Sequence, residues 1–333
     1  MAHLAILGST GAVGRELIEI LLARRFSVDR LLLLGSSRSA GQKIIYDDRE
    51  LTVEEVAETS FDGMDLVFLV ADAEASRCWM PVARRAGARI IDNSSAFRLD
   101  DGVPLVVPEI NAETIGQARL IANPNCSTII MNTVVWPLHR RHSIERIVVS
   151  TYQAVSGAGF RAMTELRQQT KQVLDGHQPE PSIFRHPIAF NLFCHESAVG
   201  EDGYNDEERK MVLETRKIFG KHAPAVTATC VRVPILRAHS ESINLTFREP
   251  MSEARVREIL ATAPGIRLVD DREASHFPMP VEAAGQDDCL VGRIRQDTSQ
   301  PDGRGIELFV SGDQLRKGAA LNAVQIAEYV VAT

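Results

Sequence analysis

Along the first 125 positions, short wholly apolar runs alternate with runs whose apolar residues recur at helical spacing. "HLAILG" has the length and texture of a buried strand, "GRELIEILLARR" sets Leu17, Ile20 and Leu21 on one helical face, and "DRLLLLGS" returns to a strand. The same sequence of textures recurs in "DLVFLVAD", the helical "EASRCWMPVARRAG" and the strand "ARIIDNSS". Strand-helix-strand repetition predicts an open parallel sheet with helices on both faces, a Rossmann-like α/β domain. After residue 126 the texture changes. A helix opening with "IIMNTVVWPL", a strand "ERIVVSTYQAV" and a helix "RAMTELRQQTKQVL" lead through a loop rich in Pro and His, residues 177 to 195, to the charged helix "NDEERKMVLETRKIFG". The runs "AVTATCVRV", "SINLTFRE", "CLVGRIRQD" and "GIELFVSG" then predict one large mixed sheet, an α+β arrangement. "LRKGAALNAVQIAEYVV" is an apolar-faced helix suited to return to the first domain. The predicted domains are therefore 1–125 completed by 314–333, and 126–313, with no internal repeat or low-complexity linker.

Length supports this division, because 333 residues exceed what one hydrophobic core usually holds. A net charge of -7 and the lack of a basic face argue against a nucleic-acid partner. No apolar run is long enough to span a bilayer, and no basic segment leads into a small-residue cleavage site, so a cytoplasmic protein without a membrane partner is expected. Cys78, Cys126, Cys194, Cys230 and Cys289 are odd in number, widely spaced and free of any Cys-x-x-Cys pair, which suggests neither a disulfide framework nor a metal site.

The first chemical signal is "GSTGAVGRE", which sets Gly8, Gly11 and Gly14 between the first strand and the first helix. Glycines there let a backbone approach a pyrophosphate at a helix N-terminus; tight strand-helix packing is the alternative reading. At the end of the second strand a NAD site usually places an acidic residue, whereas this chain has "GSSRSAG". Ser36, Ser37, Arg38 and Ser39 suit a 2'-phosphate, which favours NADP; a solvated surface charge is the plainer reading of Arg38.

Cys126 stands in "NPNCST", between a polar turn and a helix start. A helix N-terminus and a cationic neighbour both favour the thiolate, whereas Cys78, Cys230 and Cys289 sit among apolar neighbours and read as buried packing residues. A thiolate beside a nicotinamide suggests acyl transfer through a thioester that hydride reduces to an aldehyde. Such chemistry needs an acid-base group. His239, seven residues after Arg232 in "CVRVPILRAHSESINL", lies at a break between strand-like runs, where sites on sheets collect side chains; a surface turn histidine is the alternative.

These residues, together with "GSTGAVG", "SSRSAG", "DNSSAFR", "VPLVVPEIN", "NPNCSTI", "STYQAVSGAG", "VGRIR" and "KGAALNAVQIAE", resemble aspartate-semialdehyde dehydrogenases across essentially the whole chain. The resemblance implies an N-terminal Rossmann-like NADP-binding domain and a catalytic and dimerisation domain, in a homodimer or homotetramer. The implied reaction makes L-aspartate 4-semialdehyde and phosphate from L-4-aspartyl phosphate with NADPH, toward lysine, threonine, methionine and diaminopimelate. It also implies that Cys126 is the acyl-accepting nucleophile, His239 the acid-base catalyst and Gln153 the residue that helps orient the reacting cysteine and the substrate. Arg232 and Glu214 would grip the substrate's carboxylate and ammonium, and Arg98, Asn125 and Lys217 the phosphate. Gly8, Thr10, Gly11, Ala12, Val13, Ser36, Arg38, Ser39, Ser156, Gly157, Gly159 and Asn322 would contact the cofactor. Glu214 and Lys217, three apart, share a helical face; an exposed ion pair is the plainer account. The chain departs from the family pattern at residues 192 to 203, "LFCHESAVGEDG", which bears on loop geometry and subunit contacts. Two other functions fit less well. A reductase of N-acetylglutamyl phosphate would bind an acylated amine, for which the carboxylate of Glu214 has no use. A non-catalytic NADP-binding paralogue would not need Cys126 and His239.

Overall fold

The computed structural model describes residues 2 to 332, and its contacts fall into two compact units. One takes in the chain up to Asn125 and again from Ala319; the other is Cys126–Gly318.

In the first unit, β1 (Ala2–Leu7), β2 (Val28–Gly35), β5 (Glu54–Glu55), β6 (Leu66–Leu69), β7 (Arg89–Asp92) and β8 (Leu120–Ala122) form one sheet in the order β5-β2-β1-β6-β7-β8. Every pairing in it is parallel. The continuous apolar runs of β1 and β6 follow from burial on both faces. A hairpin of β3 (Lys43–Tyr46) and β4 (Arg49–Thr52) stands apart from this sheet. Helix Ala12–Ala23 buries Leu17, Ile20 and Leu21 in one core with Leu4 and Ile6 of β1, and Leu321, Val324 and Ala327 of the C-terminal helix Leu321–Ala332 join that core. The strand order reverses direction at β1, so the loop after β1 opens where ligands of parallel sheets collect.

The second unit is built on β9 (Ile144–Gln153), β10 (Phe193–Cys194), β11 (Ala225–Arg232), β12 (His239–Phe247), β13 (Ile266–Leu268), β14 (Cys289–Gln296) and β15 (Gly305–Gly312). Their order is β10-β11-β9-β12-β15-β14-β13. The sheet is mixed: β11 runs parallel to β9, and β12 runs antiparallel to both β9 and β15. Helix Cys126–Arg141 lies against β9, β14 and β15 and against helix Asp206–Phe219, with Ile129, Ile130, Met131, Val134 and Val135 buried.

Cys230 and Cys289 are buried, but Cys78 is exposed. The sequence expectation of burial fails there because helix Ala73–Arg85 turns Ser76 and Ala83 inward and leaves Cys78 on the face with Arg77 and Arg85.

Candidate active site

Within the first unit, Gly8 has φ +94°, and a Cβ there would stand 2.6 Å from the carbonyl oxygen of Val70, so the turn admits only glycine. Gly14 lies under the same turn, where a Cβ would meet the Gly8 carbonyl oxygen at 2.3 Å. Gly11 is the N-cap of helix Ala12–Ala23 and supplies no side-chain cap, which suits the first-turn amides to an anion. Thr10 Oγ1 donates to Ser39 Oγ at 3.2 Å and ties this turn to the "SSRS" turn after β2. Ser36, Ser37 and Arg38 are exposed around that turn. These residues fit a dinucleotide bearing a further phosphate. Asn322 is wholly buried, donating from Nδ2 to the Val106 carbonyl at 2.9 Å and to Asn123 Oδ1 at 2.6 Å, so its amide hydrogens brace the unit from within. Arg98 is also nearly buried and donates from Nη2 to the Asn93 carbonyl at 2.8 Å; Asn125 is buried at the end of the unit.

Cys126 is the first residue of a 16-residue helix and is partly exposed. The positive end of the helix macrodipole therefore sits at its sulfur. Gly318 gives its Cβ room, since a Cβ on Gly318 would come within 3.0 Å of it. Arg232 closes β11 opposite Gln153, which closes β9. Gln153 Nε2 donates to Ser127 Oγ at 3.2 Å and to Glu207 Oε1 at 3.1 Å. Its Oε1 has no protein partner among the described residues. The next residue, Ala154, serves two neighbours with its main chain. Its N–H donates to His239 Nδ1 at 3.0 Å, and its carbonyl accepts from Arg232 Nη1 at 2.8 Å.

The Ala154 contact fixes the protonation state of His239. A backbone N–H can only donate, so Nδ1 accepts and the neutral ring carries its hydrogen on Nε2. Nε2 has no protein partner among the described residues. A Cβ on Gly157 would lie 3.5 Å from it and 3.4 Å from Arg232 Nη1, so glycine keeps the space over both groups open. Burial, with the Arg232 guanidinium adding to it and Glu207 opposing, brings the His239 pKa down to about 3. Burial also lowers that of Arg232, with Glu207 and Cys126 pulling it the other way. The guanidinium stays charged and its field reaches Cys126.

Glu214 and Lys217 share helix Asp206–Phe219, and Glu214 is almost wholly buried, which rules out the exposed ion-pair reading. Thr215, between them, donates to Asn132 Oδ1 of helix Cys126–Arg141 at 3.2 Å. Ser156 is buried beneath Gln314, whose Nε2 donates to its Oγ, and Gly159 takes φ +86° at the turn into helix Phe160–Leu174.

Sequence reasoning missed Glu207, which orients Gln153, and His195, which meets Arg232 Nη2 at 2.9 Å. The capping pattern at Asn205 and Glu208 was a usable signal for a fixed helix start beside Glu207; His195 had none beyond the atypical loop that carries it.

Residues 3–118 match the family profile "Semialdehyde dehydrogenase, NAD binding domain", and 135–317 match "Semialdehyde dehydrogenase, dimerisation domain". An aspartate-semialdehyde dehydrogenase of Synechocystis is 51% identical over 99% of this chain and 97% of its own length. One from Bacillus subtilis is 42% identical over 98% of this chain and 96% of its own. The crystal structure of aspartate semialdehyde dehydrogenase II from Vibrio cholerae superposes with a TM-score of 0.96 at 42% identity, covering 100% of this chain and 99% of that one. A second structure of that enzyme is described as complexed with ASA.

Proposed function

From the premise that the chain belongs to the aspartate-semialdehyde dehydrogenase family, we propose that it converts L-4-aspartyl phosphate to L-aspartate 4-semialdehyde and phosphate, and the reverse, through a thioester on Cys126. The observation that carries the reading is the convergence of Cys126, Gln153, Arg232 and His239 at one end of the second unit's sheet, with His239 held as an Nε2 donor. The Cys126 thiolate attacks the acyl carbon, the bond to the phosphoryl oxygen breaks, and phosphate departs. Bound NADPH, held by the Gly8–Gly14 turn and the Ser36–Ser39 turn, supplies the hydride that reduces the thioester. His239 Nε2–H donates to the carbonyl oxygen as negative charge gathers on it, and Gly157 leaves room for that oxygen. When the C–S bond breaks, the electron pair returns to sulfur and the aldehyde forms. Arg232 pairs with the substrate's carboxylate and Glu214 with its ammonium, while Arg98, Asn125 and Lys217 receive phosphate. The matched dimerisation profile supports a homodimer or larger assembly, and the half-exposed sheet face bearing Tyr152 and Phe309 suits a second copy. Among the described residues no helix is long and apolar enough to cross a membrane.

The test is NADPH formation from aspartate semialdehyde with and without phosphate, for the unaltered protein and for Cys126→Ala. Phosphate-dependent turnover that Cys126→Ala abolishes, with NADP binding retained, is expected. Activity of Cys126→Ala within tenfold of the unaltered enzyme would refute the covalent route.

A further inference from the structure

Resting on the substrate reading above, we propose that His195 is a positioning residue: as a neutral acceptor it holds the Arg232 guanidinium in the orientation that grips the substrate's carboxylate. Arg232 Nη2 lies 2.9 Å from His195 Nε2, and a guanidinium has no lone pair to offer. His195 Nε2 must therefore accept, which places the ring's hydrogen on Nδ1. That hydrogen points to Ser197 Oγ at 3.1 Å. Ser197 Oγ also accepts from the Glu207 N–H at 3.1 Å and donates to Asn205 Oδ1 at 3.3 Å. The Ser197 N–H approaches the same Nδ1 at 3.3 Å and competes for the opposite tautomer; the Arg232 contact is the shorter, at 2.9 Å, and charge-assisted, and so decides which nitrogen accepts.

The loop is fixed well enough to do this. β10 pairs antiparallel with β11, Phe193 opposite Arg232, and the His195 N–H donates to the Cys230 carbonyl at 2.8 Å. Asn205 caps helix Asp206–Phe219 by accepting from the Glu208 N–H, and its Nδ2 reaches back to the His195 carbonyl at 3.3 Å. Arg232 is thus held on three sides, by Ala154, by His195, and by the Phe184 ring, whose centroid is 5.5 Å from Cζ. The same loop and helix start position Glu207, which accepts from Gln153. One hydrogen-bonded circuit therefore runs from the substrate-gripping arginine to Ser127, next to the nucleophile.

The experiment compares His195→Leu and His195→Gln in the full-length enzyme, assayed from aspartate semialdehyde, phosphate and NADP. His195→Leu should raise the KM for the semialdehyde roughly ten- to a hundredfold and leave the KM for phosphate within about twofold. His195→Gln, whose Oε1 can accept from Arg232, should restore most of the loss. An unchanged semialdehyde KM in His195→Leu, equal rises for both substrates, or a glutamine variant no better than leucine would overturn the proposal. The unaltered enzyme gives a check that no folding defect obscures: nitrogen NMR of the histidine rings near neutral pH should show His195 with its hydrogen on Nδ1. An Nε2–H or doubly protonated ring would also overturn it. Arg232→Lys separates the two layers of argument. If it raises the semialdehyde KM while His195→Leu does not, only the role of His195 falls; if it leaves that KM unchanged, the substrate assignment falls and this proposal with it.

Discussion

Glu241 lies two residues beyond His239 on β12, opposite Thr151 of β9 and Val310 of β15, and is wholly buried, and among the described residues neither carboxyl oxygen has a hydrogen-bond partner. Burial raises its pKa well above the ordinary 4.5. A carboxyl kept neutral in the fold while the unfolded chain ionises near 4.5 makes stability depend on pH. The contribution is fully present below about 4.5 and is lost as pH rises toward the folded pKa. Wherever the folded carboxyl stays neutral while the unfolded one is ionised, the slope is on the order of 1 kcal/mol per pH unit, so the loss between pH 5 and 7 is at most about 3 kcal/mol. Glu241→Gln keeps the shape and removes the titration. Its amide hydrogens add a pH-independent cost, so the informative quantity is how the stability gap between the two proteins changes with pH. Buried neutral histidines such as His239 act in the opposite sense, losing stability as pH falls below about 6.5, but they are common to both proteins and cancel in the difference. Urea unfolding at pH 5, 6 and 7 and one fixed protein concentration should show the gap shifting steadily toward the variant, by on the order of 1 kcal/mol per pH unit. A gap constant to within about 0.5 kcal/mol would refute the neutral-acid account.

Two further substitutions test the anion sites. Arg38→Ala should erase most of the preference for NADPH over NADH, a ratio of roughly 10- to 150-fold for one charge-assisted contact, measured as kcat/KM with each cofactor; an unchanged ratio makes Arg38 a surface charge. Arg98→Lys keeps the charge but loses the bidentate fork, so the KM for phosphate should rise by roughly 5- to 150-fold with that for semialdehyde nearly unchanged. The opposite pattern would mean that the carboxylate and phosphate sites are exchanged.

Local signals were the legible ones. β6, and β1 from Leu4 onward, are uninterrupted apolar runs, the glycine turn sits where a strand meets a helix, and Cys126 is marked by its own turn and helix start. The β3-β4 hairpin escaped notice because Asp47 and Asp48, at φ +49° and +58°, make its turn without the glycine that usually announces one. Cys78 misled because apolar neighbours in sequence do not say which helical face is inward. His195 was illegible for a different reason. Its role exists only because the two-residue strand Phe193–Cys194 pairs with β11, nearly forty residues away, and no local pattern encodes that pairing.

The deepest limit is set by Ala154, whose methyl group takes no part in the chemistry. Its N–H fixes the tautomer of His239 and its carbonyl steadies Arg232, so one peptide unit on each side of one Cα orients both side chains. Main-chain groups suit this work because the sheet has already removed their freedom, and little reorganisation is left for the moment of reaction. The Ala154 N–H and carbonyl are available only because β9 ends at Gln153, freeing the next residue from the ladder to turn toward the site. The placement of His239 and Arg232 thus depends on where a strand stops. Substitutions that move that end by a single residue would turn the Ala154 N–H and carbonyl away from His239 and Arg232 without changing either side chain.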